Sequence, residues 1–587
     1  MDRRSFVKRL PTISVLGTAA PHAEPSPVPQ AMTDIGPAPR GGTWFDLSRV
    51  QPTDALSSVP RRGRWRAVPW KGRSGDGALQ GTMLIIGPET NPPVITLDPL
   101  LKGPHEIYIG VSQFMGPSQI KVKLDQDPGY FTLQNESTEK NSNESHTRHV
   151  IQDCYFRTTD MTGRRIQIAQ QKLGDAPAPA MIGYVRAVPV SPAMLDQKKG
   201  KKRLVAMNDG HGIFYEGVST EQDLWDVFVP YRDSGFSAML FCITGADHCN
   251  YPTKIGTLIG EGVDDFPSPG YRRYTESVKA FLDRGADPLA SALRMAHAVG
   301  LEFHISVRME AFAMEPPYDG AFMSRFYAGH PELRCIDSDG RRIARLSYAF
   351  PEVREHMYAI IDELVHYVPE GINLIFPRAQ PFVLYEEPFL KEFRARHGKD
   401  PRSLPFDHPD AVALRSDFMN SFMREVRRRT RRASGKSPEI SAIVLSDRRS
   451  NELYGLDVMR WIRERWVDEV SPSVWDWRRW RVKPEAAYLA GACRDAGCRL
   501  VVNLHPSELR SEEWLPAAFE YHRQGADGFS IWDTDPRQPT QWGLVRALAH
   551  LDEWQPGASG PPTAPSVVTL TELGDFVMDK YKSSWCF

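Results

Sequence analysis

Between residues 203 and 554 the chain repeats one pattern eight times: a short apolar run, then a longer segment whose apolar residues recur three and four apart. The runs cover 204–207, 236–243, 301–307, 372–376, 440–445, 467–470, 499–504 and 528–532. They are near-continuously apolar rather than alternating. Each therefore reads as a strand buried on both faces, which is the condition of strands in a parallel sheet. The intervening segments carry helix punctuation. Asp287 is placed to cap, Pro288 takes the first helical position and Gly300 ends the segment. Leu414, Phe418, Phe422 and Val426 recur every fourth residue along one helical face. Eight strand–helix units are the number that closes a parallel sheet on itself, and no glycine-rich phosphate loop argues for an open doubly wound sheet. The expected fold is α/β: a (β/α)8 TIM barrel over 203–554, preceded by an N-terminal β-sandwich.

The sandwich is expected over residues 43–196, where short alternating segments such as 105–111, 120–124 and 165–168 are separated by Gly, Pro, Asn and Asp. Ahead of it, residues 1–42 hold Arg3-Arg4-Ser5-Phe6-Val7-Lys8, a modest apolar stretch and a Pro-rich linker. This pattern is that of a twin-arginine export signal, and it predicts an exported protein, periplasmic or extracellular. Residues 555–587 read as a Pro/Gly linker and a tail that docks back on the body. No apolar run approaches the ~20 residues that a membrane-spanning helix needs. The formal net charge of −1 gives no bulk attraction to nucleic acid or to an anionic membrane. The seven cysteines show no CxxC or Cys/His spacing, so no structural metal is expected. Fourteen tryptophans and nineteen tyrosines offer flat faces of the kind on which sugar rings pack.

Chemistry on such a barrel belongs to the carboxyl ends of its strands. Reading past each run gives Asn208, Asp209 and His211; Asp247 and His248; Arg308 and Glu310; Arg378, Glu386 and Glu387; Asp447 and Arg448; Trp475, Asp476 and Trp477; Asn503 and His505; and Trp532, Asp533 and Asp535. Cleavage of a glycosidic bond needs two carboxyl groups, one protonating the leaving oxygen and one attacking or activating water. The leading catalytic candidates are Glu386, Glu387 and Asp447. Glu386 is expected to be the proton donor, raised in pKa by the apolar strand end. Arg308, Glu310, Arg378, Trp475, Asp476, His505, Trp532 and Asp533 are the expected substrate-binding residues, with tryptophans stacking on sugar. No GxSxG elbow and no HExxH helix suggests other hydrolytic chemistry. The same cleft in a catalytically silent glycan-binding protein is the alternative.

The stretch from residue 301 to 387 also resembles the glycosyl-hydrolase-like family 10 barrels. The residues that carry the likeness are His304-Ile-Ser-Val-Arg308-Met-Glu310, His330-Pro331-Glu332, Asp339-Gly340, Pro351-Glu352-Val353-Arg354 and Gly371-Ile-Asn-Leu-Ile-Phe-Pro-Arg378. The resemblance implies a TIM barrel acting on polysaccharide without a cofactor. It also implies an Asp in the strand-four phrase. Here that position is Ile375, while Arg378 is kept.

Overall fold

The computed structural model describes residues 42–74, 77–112, 118–135, 150–172, 177–192, 195, 202–431, 437–474, 483–504, 511–532, 548–549 and 567–577. Eight parallel strands form a closed barrel: β1 (Arg203–Asn208), β2 (Ala238–Cys242), β3 (Glu302–Arg308), β4 (Gly371–Ile375), β5 (Glu439–Leu445), β6 (Glu469–Ser473), β7 (Arg499–Leu504) and β8 (Gly528–Trp532). Closure is made by β1 against β8, with Met207 opposite Trp532. All eight expected strands are present, and β6 is displaced toward its C-terminus. It runs through Pro472, beyond the last β6–β7 pair at Val470 and Leu500, so the missing N–H lies where that ladder has already ended.

Side chains alternate between the barrel interior and the helix shell. Val205, Met207, Ala238, Leu240, Cys242, Ile375, Ile443, Val501 and Trp532 pack together as the apolar part of the interior. The same parity brings Asn373 to Ser441 (2.8 Å), Ser471 to Ser530 (3.1 Å) and Asn503 to Ser530 (3.0 Å). The β1–β2 side of the interior is thus apolar and the β4–β8 side carries a hydrogen-bonded hydroxyl and amide ladder. Nearly every polar group there has a partner, as burial requires.

Helix Pro288–Ala298 begins as the sequence indicates, with the Asp287 carboxylate accepting from two backbone N–H groups. Helix Glu221–Phe228 starts after Thr220, which makes a reciprocal capping box with Asp223. A helix that periodicity does not reveal, Pro269–Asp283, is capped by Ser268. An excursion between β3 and β4 contains a small antiparallel hairpin, Arg334–Ile336 with Arg342–Leu346.

The N-terminal domain has two sheets, antiparallel except where Leu56–Ser57 runs parallel to Trp65–Ser74. One contains strands Ile95–Leu97, Gln119–Leu124, Phe131–Gln134 and Ile166–Gln170. The larger sheet takes in a strand from the far end of the chain, Val567–Leu573, which pairs with both Val150–Asp160 and Trp65–Ser74 and joins the sheet's two ends. The domain is bound to the barrel by Asp226, which accepts from Lys121 at 2.6 Å and from the Tyr130 N–H at 2.7 Å. At this contact a Cβ on Gly129 would lie 2.7 Å from the Trp225 backbone, so only glycine permits the approach.

Candidate functional site at the barrel mouth

Two of the carboxylates expected at the mouth hold the hairpin instead. Glu386 has 0 % exposure. It accepts from the Ile336 N–H (2.9 Å), the Leu384 N–H (3.0 Å) and the Ser347 hydroxyl (2.8 Å). Burial raises its pKa, as expected, and the three donors pull against that rise. These contacts tie Arg334–Ile336 to the segment before helix Glu387–His397. They leave Glu386 facing backbone rather than an open cleft, which argues against the proton-donor role. Glu310 grips the other strand of the hairpin, accepting from the Leu346 N–H at 3.1 Å. It is buried, and burial pushes its pKa well up despite Arg345, with Asp247 and Glu386 adding to the rise. Asp247 is fully buried and its Oδ2 meets His356 Nε2 at 2.8 Å, while that imidazole stacks on Phe326.

Glu387 is exposed in the first turn of its helix, where a negative charge favours the dipole. Asp447 is the N-cap of helix Arg448–Leu453, accepting from the Ser450 N–H at 2.8 Å. That use was readable from Asp447-Arg-Arg-Ser450, a capping residue three positions before a helical N–H. Trp532 is 2 % exposed inside the barrel, so it offers no open stacking face. Trp475, Asp476, Trp477, His505 and Asp533 lie outside the described residues.

What the fold does assemble at the mouth is an ion cluster around Asp209, just past β1. Its Oδ2 pairs with Arg308, the last residue of β3, at 3.1 Å, and its Oδ1 accepts from the His211 N–H at 2.9 Å. Burial alone would raise the Asp209 pKa. Arg308, His211 and Arg378 outweigh it, and the carboxyl is held below its usual range. Arg308 also lies 6.0 Å from the Trp532 ring centroid. Arg378, exposed just past β4, has a left-handed backbone at φ +68°. Such a conformation in a non-glycine residue is uncommon and recurs at functional sites. Asp209 reaches this position because the chain turns over β2 at Gly210, where φ is +66° and a Cβ would come within 1.8 Å of the Cys242 carbonyl. The sequence places Asp209 at a strand end but gives no reason to prefer it; the reason is the convergence of arginines from two other strands.

Beside the cluster is an aromatic rim. The His211 ring packs against Tyr215, Tyr271, Tyr274 and Phe322, with centroids 4.8–6.0 Å away. Tyr318 packs on Tyr271 at 5.3 Å and is exposed. The ionised carboxylate, two guanidiniums and exposed tyrosine make a mouth equipped to hydrogen-bond and stack on a hydroxylated ligand.

No protein-family model matches the chain, and no curated protein matches it. Among solved structures, the glycoside hydrolase domain of PelA from Pseudomonas aeruginosa is 13% identical, covering 42% of this chain and 83% of that one at a TM-score of 0.26. TtGalA, an alpha-galactosidase from Thermus thermophilus, is 10% identical over 82% of this chain and 94% of that one, with a TM-score of 0.31. The GH20 beta-N-acetylhexosaminidase from Streptomyces coelicolor A3(2) is 13% identical over 66% and 69%, with a TM-score of 0.33. At these identities and TM-scores no residue role and no substrate transfers to this chain.

Proposed function

We propose that this chain is an exported glycoside hydrolase of the family 10-like barrel type, with Asp209 as its ionised carboxylate. The observation that carries the reading is the Asp209–Arg308–Arg378 cluster at the carboxyl end of a closed barrel. A carboxylate stabilised as the anion suits attack on a sugar carbon or activation of water, and is unsuited to donating a proton. Proton donation then falls to Asp533 or Asp476, which follow β8 and β6 in the sequence. Arg308 and Arg378 would bind sugar hydroxyls, and Tyr318 would supply the stacking face. Product release from a panel of poly- and oligosaccharides tests this. Asp209→Asn should lower turnover by at least ~10²-fold with the fold intact. Activity surviving that substitution would remove Asp209 from the mechanism. Export is tested separately: replacing Arg3 and Arg4 by Lys should retain the chain in the cytoplasm.

A second reading, a glycan-binding barrel without hydrolysis, is favoured by one observation. Glu310, Glu386 and Asp447 each accept from a backbone N–H. Binding to the panel with no product, lost in Arg308→Ala, would select it.

A further inference from the structure

The opposite end of the barrel holds a second cluster. Five charged residues occupy the first position of their strands and face one another across the floor. Arg203 contacts Glu469 at 2.6 Å and Glu302 at 2.9 Å. Arg499 contacts the same Glu469 oxygen at 3.0 Å and Glu439 at 2.5 Å. Three carboxylates thus meet two guanidiniums, and the floor carries an excess negative charge.

His304 stands one layer above. It has 0 % exposure, and neither ring nitrogen has a hydrogen-bond partner among the described residues. An imidazole buried in that way ordinarily has one nitrogen donating and the other accepting. Its placement explains the aim of the ring. A Cβ on Gly371 would lie 2.3 Å from Nδ1, so that side of the imidazole is packed on the β4 backbone. Nε2 looks toward the Glu302 carboxylate, 4.0 Å away, too far for a hydrogen bond. One ligand atom each from Glu302, His304 and Glu439 lies within 4.8 Å of the others.

We propose that Glu302, His304 and Glu439 bind one divalent ion of the zinc class at the barrel floor. Imidazole nitrogen and carboxylate oxygen are the donors that such an ion accepts, and three protein ligands leave a fourth position for water. A carboxylate has about four lone-pair sites, so an arginine contact on one oxygen does not exhaust it. Glu302 is 43 % exposed, which gives an ion a path from solvent. The nearby guanidiniums oppose a cation and should hold the affinity below that of a thiolate site. The ion would link β3 to β5 across β4, far from the mouth, so its role would be structural rather than catalytic.

The test uses the full chain stripped with chelator and titrated with Zn²⁺ by calorimetry, with Co²⁺ absorption as a second readout. One equivalent should bind, and the melting temperature should rise by at least ~2 °C at saturation. His304→Ala and Glu439→Gln should each weaken binding at least ~10-fold. If these variants fail to fold, Glu302→Gln, at the exposed edge of the cluster, carries the test with the same expected loss. Undiminished Zn²⁺ affinity in a folded variant, or no binding by the unaltered chain, would overturn the proposal.

Discussion

Replacing Glu386 by Ala removes one acceptor group from three donors: the half-buried Ile336 amide, the buried Leu384 amide and the buried Ser347 hydroxyl. The hydroxyl can rotate toward another acceptor, but the two amides are fixed by the backbone. A buried amide left unpaired costs about 1–3 kcal/mol, and the half-buried Ile336 amide falls at the low end of that range. The loss should therefore come to roughly 3 kcal/mol, reduced somewhat because burial already disfavours this carboxylate. The effect is local to the hairpin, so a global unfolding midpoint dilutes it. Amide hydrogen exchange localises it. At ~1.4 kcal/mol per factor of ten, the Ile336 and Leu384 amides should exchange about 10²-fold faster, with β4 unchanged. Glu386→Gln keeps one carbonyl acceptor and should cost only about 1 kcal/mol. A proton donor behaves in the opposite way: the Gln variant would lose about 10²–10⁴-fold in turnover with exchange unaltered. Unchanged exchange at both amides in Glu386→Ala would refute the structural assignment.

Glu310 has a folded-state pKa raised above its ordinary 4.5, so its neutral form is favoured by folding and stability should fall as pH rises above about 4.5 toward the folded value. Glu310→Gln should flatten that slope in thermal unfolding measured from about pH 4 to 8. Gly371→Ala forces a methyl against the His304 ring and should destabilise by about 1–3 kcal/mol, with a smaller cost when His304 is already Ala, as a double-mutant cycle would record. Asp226→Ala strips the acceptor from Lys121 and from the Tyr130 amide and should loosen the two domains, read as faster exchange at Tyr130 with the barrel strands unaffected.

The barrel was legible because its strands are buried on both faces, which writes them as unbroken apolar runs, and because caps such as Asp287-Pro288 are local. The hairpin between β3 and β4 was not, since its two strands are three and five residues long and alternate only weakly. The use of Glu386 depended on that hairpin: its partners Ile336 and Ser347 lie 50 and 39 residues upstream, and no local pattern encodes them. The same holds for Asp209, whose distinction comes from Arg308 about a hundred positions on. Asp447 is the contrary case. Its capping role is local and was available from the sequence, but its place behind a strand made a catalytic reading attractive.

Ile375 now has a physical account. In the barrel it is the register partner of Arg308 and points into the interior, 1 % exposed, among Cys242, Ile443 and Trp532. An Asp at this position, as the family resemblance leads one to expect, would lie beside Arg308 on the adjoining strand. With Ile in its place Arg308 would be a guanidinium at the edge of an apolar layer, a costly arrangement unless another anion meets it. Asp209 meets it from the β1 side at 3.1 Å. The negative charge that answers Arg308 therefore comes from the end of the first strand, with Arg378 nearby at the mouth. A carboxylate carried past the strand end, with part of its surface open to solvent, can reach a ligand that an acid seated at Ile375 would meet only from beneath. This geometry, more than any motif, makes Asp209 the carboxylate on which the function of the barrel should be tested.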